Sequence, residues 1–411
     1  MNRRQFLLGL GVFGLSSLSY AGYKYWPDAG LTNPCLSAMP DALAQHPLMQ
    51  KIWDGIDASK VWDSHVHLVG TGDSASGVWF NPNMDSYSHP ILKLQKQFYM
   101  NGVCAEDGNV DASTVERLLS LHAEMPAGYK SMLFAFDWYR DAQGRPLTEQ
   151  SIFYVSNHYA SKLAQLYPQY FEWVASIHPY RADAIDALEQ AKVEGARVIK
   201  WLPSGMGIDP GSTKCDTFYK KAAQLDMPII SHTGRESAVQ GGDQSFGNPL
   251  KMRRALDAGV RVVLAHCASD GEDVDLDHGN QRVKSFKLFE RLMDAPEYQS
   301  LVFGEISAIT LINHAWVIHS ILARPDWHGR LLNGSDYPLP GIFPLINTRQ
   351  LNQLGLLEDA HLPFLHALKQ YNPLMFDFAV KRLMRSKNNS FANSVFETRK
   401  FFNHSHASST S

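Results

Sequence analysis

From about residue 59 the chain alternates short apolar runs with stretches whose apolar residues recur every three or four positions. The runs at 60–68, 132–137, 171–178, 197–202, 228–232, 261–266, 301–306 and 330–336 predict eight strands. Several are apolar almost throughout, as strands covered on both faces by helices are. Between them the spacing of three and four predicts helices over 114–124, 152–166, 182–193, 216–225, 249–258 and 284–293. Strand and helix in strict alternation describe parallel βα units. Eight such units predict an α/β chain folded as a (β/α)8 TIM barrel over residues 59–385.

The remaining segments frame that barrel. Residues 1–21 carry Arg3-Arg4 ahead of an apolar, Gly-rich run and end in Ser19-Tyr20-Ala21, the shape of a bacterial signal peptide of twin-arginine type. The run is short for a bilayer span, which needs about 20 residues. It reads as a cleaved leader or as an uncleaved N-terminal anchor, placing the protein in the periplasm or on the inner membrane facing it. Residues 22–58, broken by Pro27, Pro34, Pro40 and Pro47, predict an N-terminal extension wrapped around the barrel. Residues 386–411 predict a polar tail that frays, although it contains Phe396, Phe401 and Phe402. Two long βα loops, 70–111 and 271–278, are expected to hang over the mouth where the strands end.

Composition narrows the partners. Across 411 residues, hydrophobic types make up 45% and charged types 19%, the balance of a globular protein with a large core. A net charge of -3 gives no surface for nucleic acid or for a polybasic membrane contact. A small-molecule substrate is expected, with a membrane tether through the N-terminus and a homodimer both compatible with the sequence. Cys35, Cys104, Cys215 and Cys267 have no CxxC spacing; they read as free or buried thiols, with one disulfide allowed if the protein is exported.

Candidate chemistry gathers at the strand ends. His65 and His67 lie two apart at the end of the first run, so both rings point to one side. Lys200, His232, His266 and Asp336 close the fourth, fifth, sixth and eighth runs. The intervals are 32 residues from 200 to 232, 34 from 232 to 266 and 70 from 266 to 336. Those are one, one and two βα units. In a parallel barrel all these ends meet at one mouth, and two imidazoles on a rigid scaffold begin a zinc, iron or manganese site. A divalent ion there lowers the pKa of water and polarises a carbonyl. Asp336 then has the place of general base, and Arg235 or His266 that of oxyanion donor.

The segments Asp63-Ser64-His65-Val66-His67, Ser231-His232-Thr233-Gly234, Ala265-His266-Cys267 and Gly334-Ser335-Asp336-Tyr337-Pro338 resemble the amidohydrolase superfamily, in particular its amidohydrolase-related branch. The resemblance implies metal ligation by His65, His67 and Asp336, and ligand or catalytic roles for His232 and His266. It also implies a strand-four lysine, Lys200, that is either carbamylated and bridging two ions or a free amine beside one ion. Zinc is the expected metal. The implied activity is hydrolysis of a small-molecule amide, lactone or other ester. The alternative is decarboxylation or hydration of an aromatic-derived carboxylic acid, and a different class altogether is an inactive metal-binding scaffold. Arg235, Glu236, Glu305, Trp201 and Tyr337 are the substrate-binding candidates, and Asp63 a partner fixing a ligand histidine's tautomer.

Overall fold

The computed structural model describes residues 30–239 and 241–403. The leader or anchor predicted at 1–21 lies outside them. All eight expected strands form: β1 Trp62–His67, β2 Lys130–Phe134, β3 Phe171–Val174, β4 Ile199–Trp201, β5 Ile229–His232, β6 Val262–Ala265, β7 Val302–Glu305 and β8 Leu331–Leu332. Every neighbouring pair is parallel, in one sheet of β1-β2-β3 and one of β4-β5-β6-β7-β8. Two parallel bridges, Ala175 with Ile199 and Val66 with Tyr337, join the sheets at both edges. The Lys200 amide donates to the Ala175 carbonyl at 2.8 Å, and the His67 amide to the Tyr337 carbonyl at 2.8 Å. The ring therefore closes as a (β/α)8 barrel.

Alternation along each strand sorts side chains to the inside or to the helix layer. Trp62, Met132, Phe134, Val174, Val198, Ile230, Val263, Ala265 and Leu332 fill the interior. Strand β1 slips register between Asp63 and Val66, spending one more residue than β2 over that stretch. This bulge shifts the alternation, so that His65 and His67 face inward along with Trp62. Without it, Trp62 and the two histidines would lie on opposite faces.

The end of the chain departs from the fraying tail expected for 386–411. Phe396, Phe401 and Phe402 are buried, and Phe401 and Phe402 join the interior cluster with Trp62. Phe401 packs on Phe303 at 4.5 Å between ring centroids, and Thr398 accepts a hydrogen bond from the Trp62 amide at 3.2 Å. Trp62 and Phe303 lie at the starts of β1 and β7, so this segment plugs the end of the barrel away from His65, His67 and Asp336. Its apolar residues were read as isolated because their partner is the barrel floor, far away in sequence.

The first long loop is structured. Trp79–Phe80 pairs antiparallel with Phe153–Tyr154, and Pro90–Gly102 forms a helix, here α1, that the hydrophobic pattern did not predict. A disulfide between Cys35 and Cys104 ties the N-terminal extension to the end of α1, while Cys215 and Cys267 are free and buried. Closing a 69-residue separation by this link is worth about 4 kcal/mol on the chain-entropy estimate. The second loop corrects the expectation for 271–278. Glu272–Val274 and Arg282–Lys284 form a hairpin, and Asp275 and Asp277 are held by Arg291 at 2.6 and 2.8 Å. The loop is drawn to Arg291 and to Arg253, which also pairs with Asp277, and none of 271–278 lines the cavity.

His122, on helix α2 (Val110–Ala123), is buried with Ser131 Oγ at 3.0 Å from its Nε2. Burial pushes its pKa down to about 3. A depressed folded pKa means stability that is present above the unfolded value near 6.5 and lost as pH falls toward 3. The 3.5-unit gap corresponds to about 5 kcal/mol by linkage. We expect urea unfolding of His122→Asn to show a shallower acid decline than wild type over pH 6.5 to 4. Parallel profiles would exclude this source.

Candidate metal centre

Strand geometry brings five of the six sequence-predicted residues into direct contact. His65 Nε2 lies 3.2 Å from His67 Nε2 and 3.0 Å from Lys200 Nζ. Asp336 Oδ1 is 3.3 Å from both His65 Nε2 and His67 Nε2, and Asp336 Oδ2 is 3.8 Å from His266 Nδ1. His232 completes the set, its ring centroid 5.0 Å from that of His266. All six face one cavity of about 460 Å³, within the range of small-molecule sites.

The surroundings fix the protonation of the cluster. Glu305 Oε2 is 2.6 Å from His65 Nδ1, and its Oε1 accepts from Ser64 Oγ at 2.5 Å. Burial raises the Glu305 pKa, but the hydrogen bond from His65, the Lys200 charge and the Ser307 hydroxyl outweigh it and bring the value to about 2. Glu305 is therefore a carboxylate, and His65 Nδ1 carries the proton. Burial lowers the His65 pKa to about 4, so the ring is neutral and its Nε2 presents a lone pair. That lone pair faces Asp336 Oδ1, a second acceptor. Burial disfavours the Asp336 charge, yet the neighbouring histidines hold its pKa well below the usual carboxylate range. Asp63 accepts from the amides of His65 at 3.2 Å and Ser335 at 2.7 Å, tying β1 to the Asp336 turn.

The His65 lone pair and Asp336 Oδ1 converge on a point that a cation can occupy, with Lys200 Nζ the donor already beside His65. His232 Nε2 adds a buried nitrogen without a hydrogen-bond partner among the described residues, while its Nδ1 lies 3.3 Å from Glu236 Oε2. His65, His67 and Asp336 offer three ligand atoms within 4.8 Å of one another. Two neutral imidazoles and a carboxylate suit a divalent ion of the zinc type, so the residues present fit the group. The backbone bears this arrangement at a cost. His266 at φ 58°, Ala308 at 55° and Asp336 at 59° occupy the left-handed region, about 1–3 kcal/mol each, and all three line the cavity. Gly334 is required by close approach: a Cβ there would meet His65 Cβ at 2.7 Å.

Other candidates fall elsewhere. Trp201 points outward, packed on Phe218 and Tyr219 with its indole N–H on the Ile177 carbonyl at 2.9 Å, because Lys200 takes the inward position on β4. Tyr337, beyond the end of β8, is buried beside Asp336 and does not line the cavity. Glu305 is engaged by His65 and Ser64 beneath the cluster and does not line the cavity. Glu236 reaches the cavity, but Oε1 caps the amides of Ala238 and Val239, and Oε2 faces His232. Arg235 stands at the rim, paired with Asp270 at 3.2 Å. Sequence reading missed Ser307, whose Oγ sits 2.9 Å from His266 Nδ1 and 2.6 Å from Glu305 Oε2. Its signal was the alternation from Glu305, two residues earlier. It also missed His314, which lines the cavity with Ser269 Oγ at 2.6 Å from its Nδ1.

No family model matches the chain, and no curated protein does. Solved structures similar to it include a TIM-barrel protein from Bordetella bronchiseptica, 18% identical over 75% of this chain and 98% of that one, TM-score 0.47. A protein assigned as a 2-pyrone-4,6-dicarboxylic acid hydrolase from Pseudomonas putida is 15% identical over 78% and 98%, TM-score 0.43. The 5-carboxyvanillate decarboxylase of Sphingomonas paucimobilis is 10% identical over 69% and 90%, TM-score 0.44. Others are described as amidohydrolases.

Proposed function

We propose that this chain is a metal-dependent hydrolase of the amidohydrolase type, acting on an amide, lactone or other ester bond of a small molecule. The observation that carries the reading is the convergence of the His65 Nε2 lone pair and Asp336 Oδ1, 3.3 Å apart with His67 Nε2 beside both, at the floor of a cavity. A divalent ion, zinc on this donor set, would be held by His65, His67 and Asp336, and when bound it acidifies water and polarises a carbonyl. Asp336 divides its labour: Oδ1 faces the ligand histidines while Oδ2 is directed to His266. Oδ2 takes the proton of the attacking water, whose oxygen adds to the acyl carbon. As the C–O or C–N bond breaks, that proton passes to the leaving group from Asp336 or through His266. Ser307 and its carbonyl, at 2.9 and 3.2 Å from His266 Nδ1, hold that ring in place.

The same floor suits a decarboxylase of an aromatic acid with His266 as proton donor. The position of His266, beside Asp336 and open to the cavity, is the observation that favours it.

Elemental analysis of protein purified in bicarbonate is expected to return at least one divalent ion per chain; none would overturn the proposal. Two ions would identify a carbamate on Lys200, whose Nζ is buried against His65 and in no ion pair among the described residues, and Lys200→Arg would then lower the metal content. One ion, unchanged in Lys200→Arg, would leave Lys200 as an amine.

The proposal extends to location. The Cys35–Cys104 disulfide suits an oxidising compartment, as does the leader read at 1–21, and together they support export to the periplasm. No helix among the described residues is long and apolar enough to cross a membrane.

A further inference from the structure

Histidines and Asp336 form the floor of the cavity, but its walls are of another character. Ile91, Leu94 and Phe98 of α1 face the cavity from one side, and Leu339, Ile342 and Leu345 from the loop after β8. Among the described lining residues only two carry a permanent positive charge. Lys200 is at the floor, against His65, and Arg235 is at the rim with its guanidinium taken by Asp270. A substrate carboxylate held between α1 and the loop after β8 would exchange water for apolar side chains and no cation, a transfer costing several kcal/mol.

Helix α1 is fixed, so its exposed residues are not a sign of loose packing. Gln95 and Tyr99 both donate to the Ala238 carbonyl, Tyr99 at 2.8 Å. Its last residue, Gly102, sits so close to Ile342 that a Cβ would come within 2.8 Å of that side chain, and the disulfide follows two residues on. Yet Ile91 is 70% and Leu94 54% exposed on this anchored helix, at the mouth of the cavity. Apolar side chains held in water beside a reacting centre are covered when a complementary apolar group enters.

We infer that the substrate carries a bulky uncharged group, an alkyl chain or aryl ring, seated between α1 and the loop after β8 with its reacting carbonyl at the floor. Small di- and tricarboxylates are excluded. Leu94 and Phe98 are specificity-determining residues. The reacting bond rests on the hydrolytic reading above; the apolar group does not.

The test is a series of 4-nitrophenyl esters, acetate to octanoate, with the monoglutarate as the charged member, given to the zinc-loaded full chain. Binding of the uncharged dye Nile red, and its displacement by 1-octanol, is measured alongside. We expect kcat/KM to rise about fourfold per methylene until the cavity is filled, and the glutarate ester to fall at least about tenfold below the pentanoate. Leu94→Asp, at an exposed position that does not threaten folding, should compress the octanoate-to-acetate ratio and weaken Nile red; Leu94→Met should restore both. A preference for glutarate, or a ratio unmoved by Leu94→Asp, overturns the inference. Nile red displaced by octanol in wild type but not in Leu94→Asp, with no ester, lactone or amide turned over, sinks the hydrolytic reading and leaves the apolar one. Ester turnover with no dependence on chain length does the reverse.

Discussion

Asp336→Asn is expected to lower kcat by at least about a thousandfold and to reduce bound metal, while leaving the barrel folded. The loss follows from two roles in one side chain. Oδ1 lies 3.3 Å from both His65 Nε2 and His67 Nε2, so its charge is the anionic member of the three-residue group that would hold the ion. Oδ2 is the proton acceptor, a role worth about two to four orders of magnitude by itself. Folding survives because asparagine tolerates the left-handed backbone that Asp336 adopts at φ 59°. Turnover, elemental analysis and circular dichroism on one preparation check all three. An Asp336→Asn that keeps its metal and turns over within about tenfold of wild type, with an unchanged pH profile, would remove the assignment.

Phe402→Ala carries the largest expected effect on stability, about 3–5 kcal/mol. Phe402 is fully buried among the interior side chains of the barrel, where Trp62 and Phe401 surround it and no water can refill the space. The lesion sits at the end of the barrel away from His65 and Asp336. A lowered urea midpoint should therefore come with unchanged activity per folded molecule. A midpoint within about 1 kcal/mol of wild type would mean that this segment merely rests on the barrel.

The barrel was legible because strands buried on both faces must be apolar nearly throughout, and their ends could be located without knowing the pairing. The same logic located the candidates: His232 ends β5, His266 directly follows β6, Lys200 lies one residue before the end of β4, and Asp336 stands four residues beyond β8. Trp201 points away from the cavity because the strand's period of two gives the inward place to Lys200, whereas Tyr337 lies beyond β8, where that period no longer tells direction. Glu305 was recognised as facing the site, but its depth beneath His65 is set by the packing of β7 against β8, which sequence does not state. Helix α1 went unread because Pro90 starts it inside a polar loop and its apolar residues face a cavity rather than the core. The disulfide was one pairing among several until the extension was seen to run past α1.

The plug at the barrel floor also bears on how the chain reaches this state. Thr398 meets Trp62 across 336 residues, so the first strand waits for almost the last folded segment before its inner layer is covered. While the ribosome still holds 399–402, the interior of a nearly complete barrel stays open to solvent and to other nascent chains. Completion is then a late event of very long loop closure, a slow and aggregation-exposed step. Arrival of 398–402 at the start of β1 sets the moment at which the barrel becomes safe from misassembly.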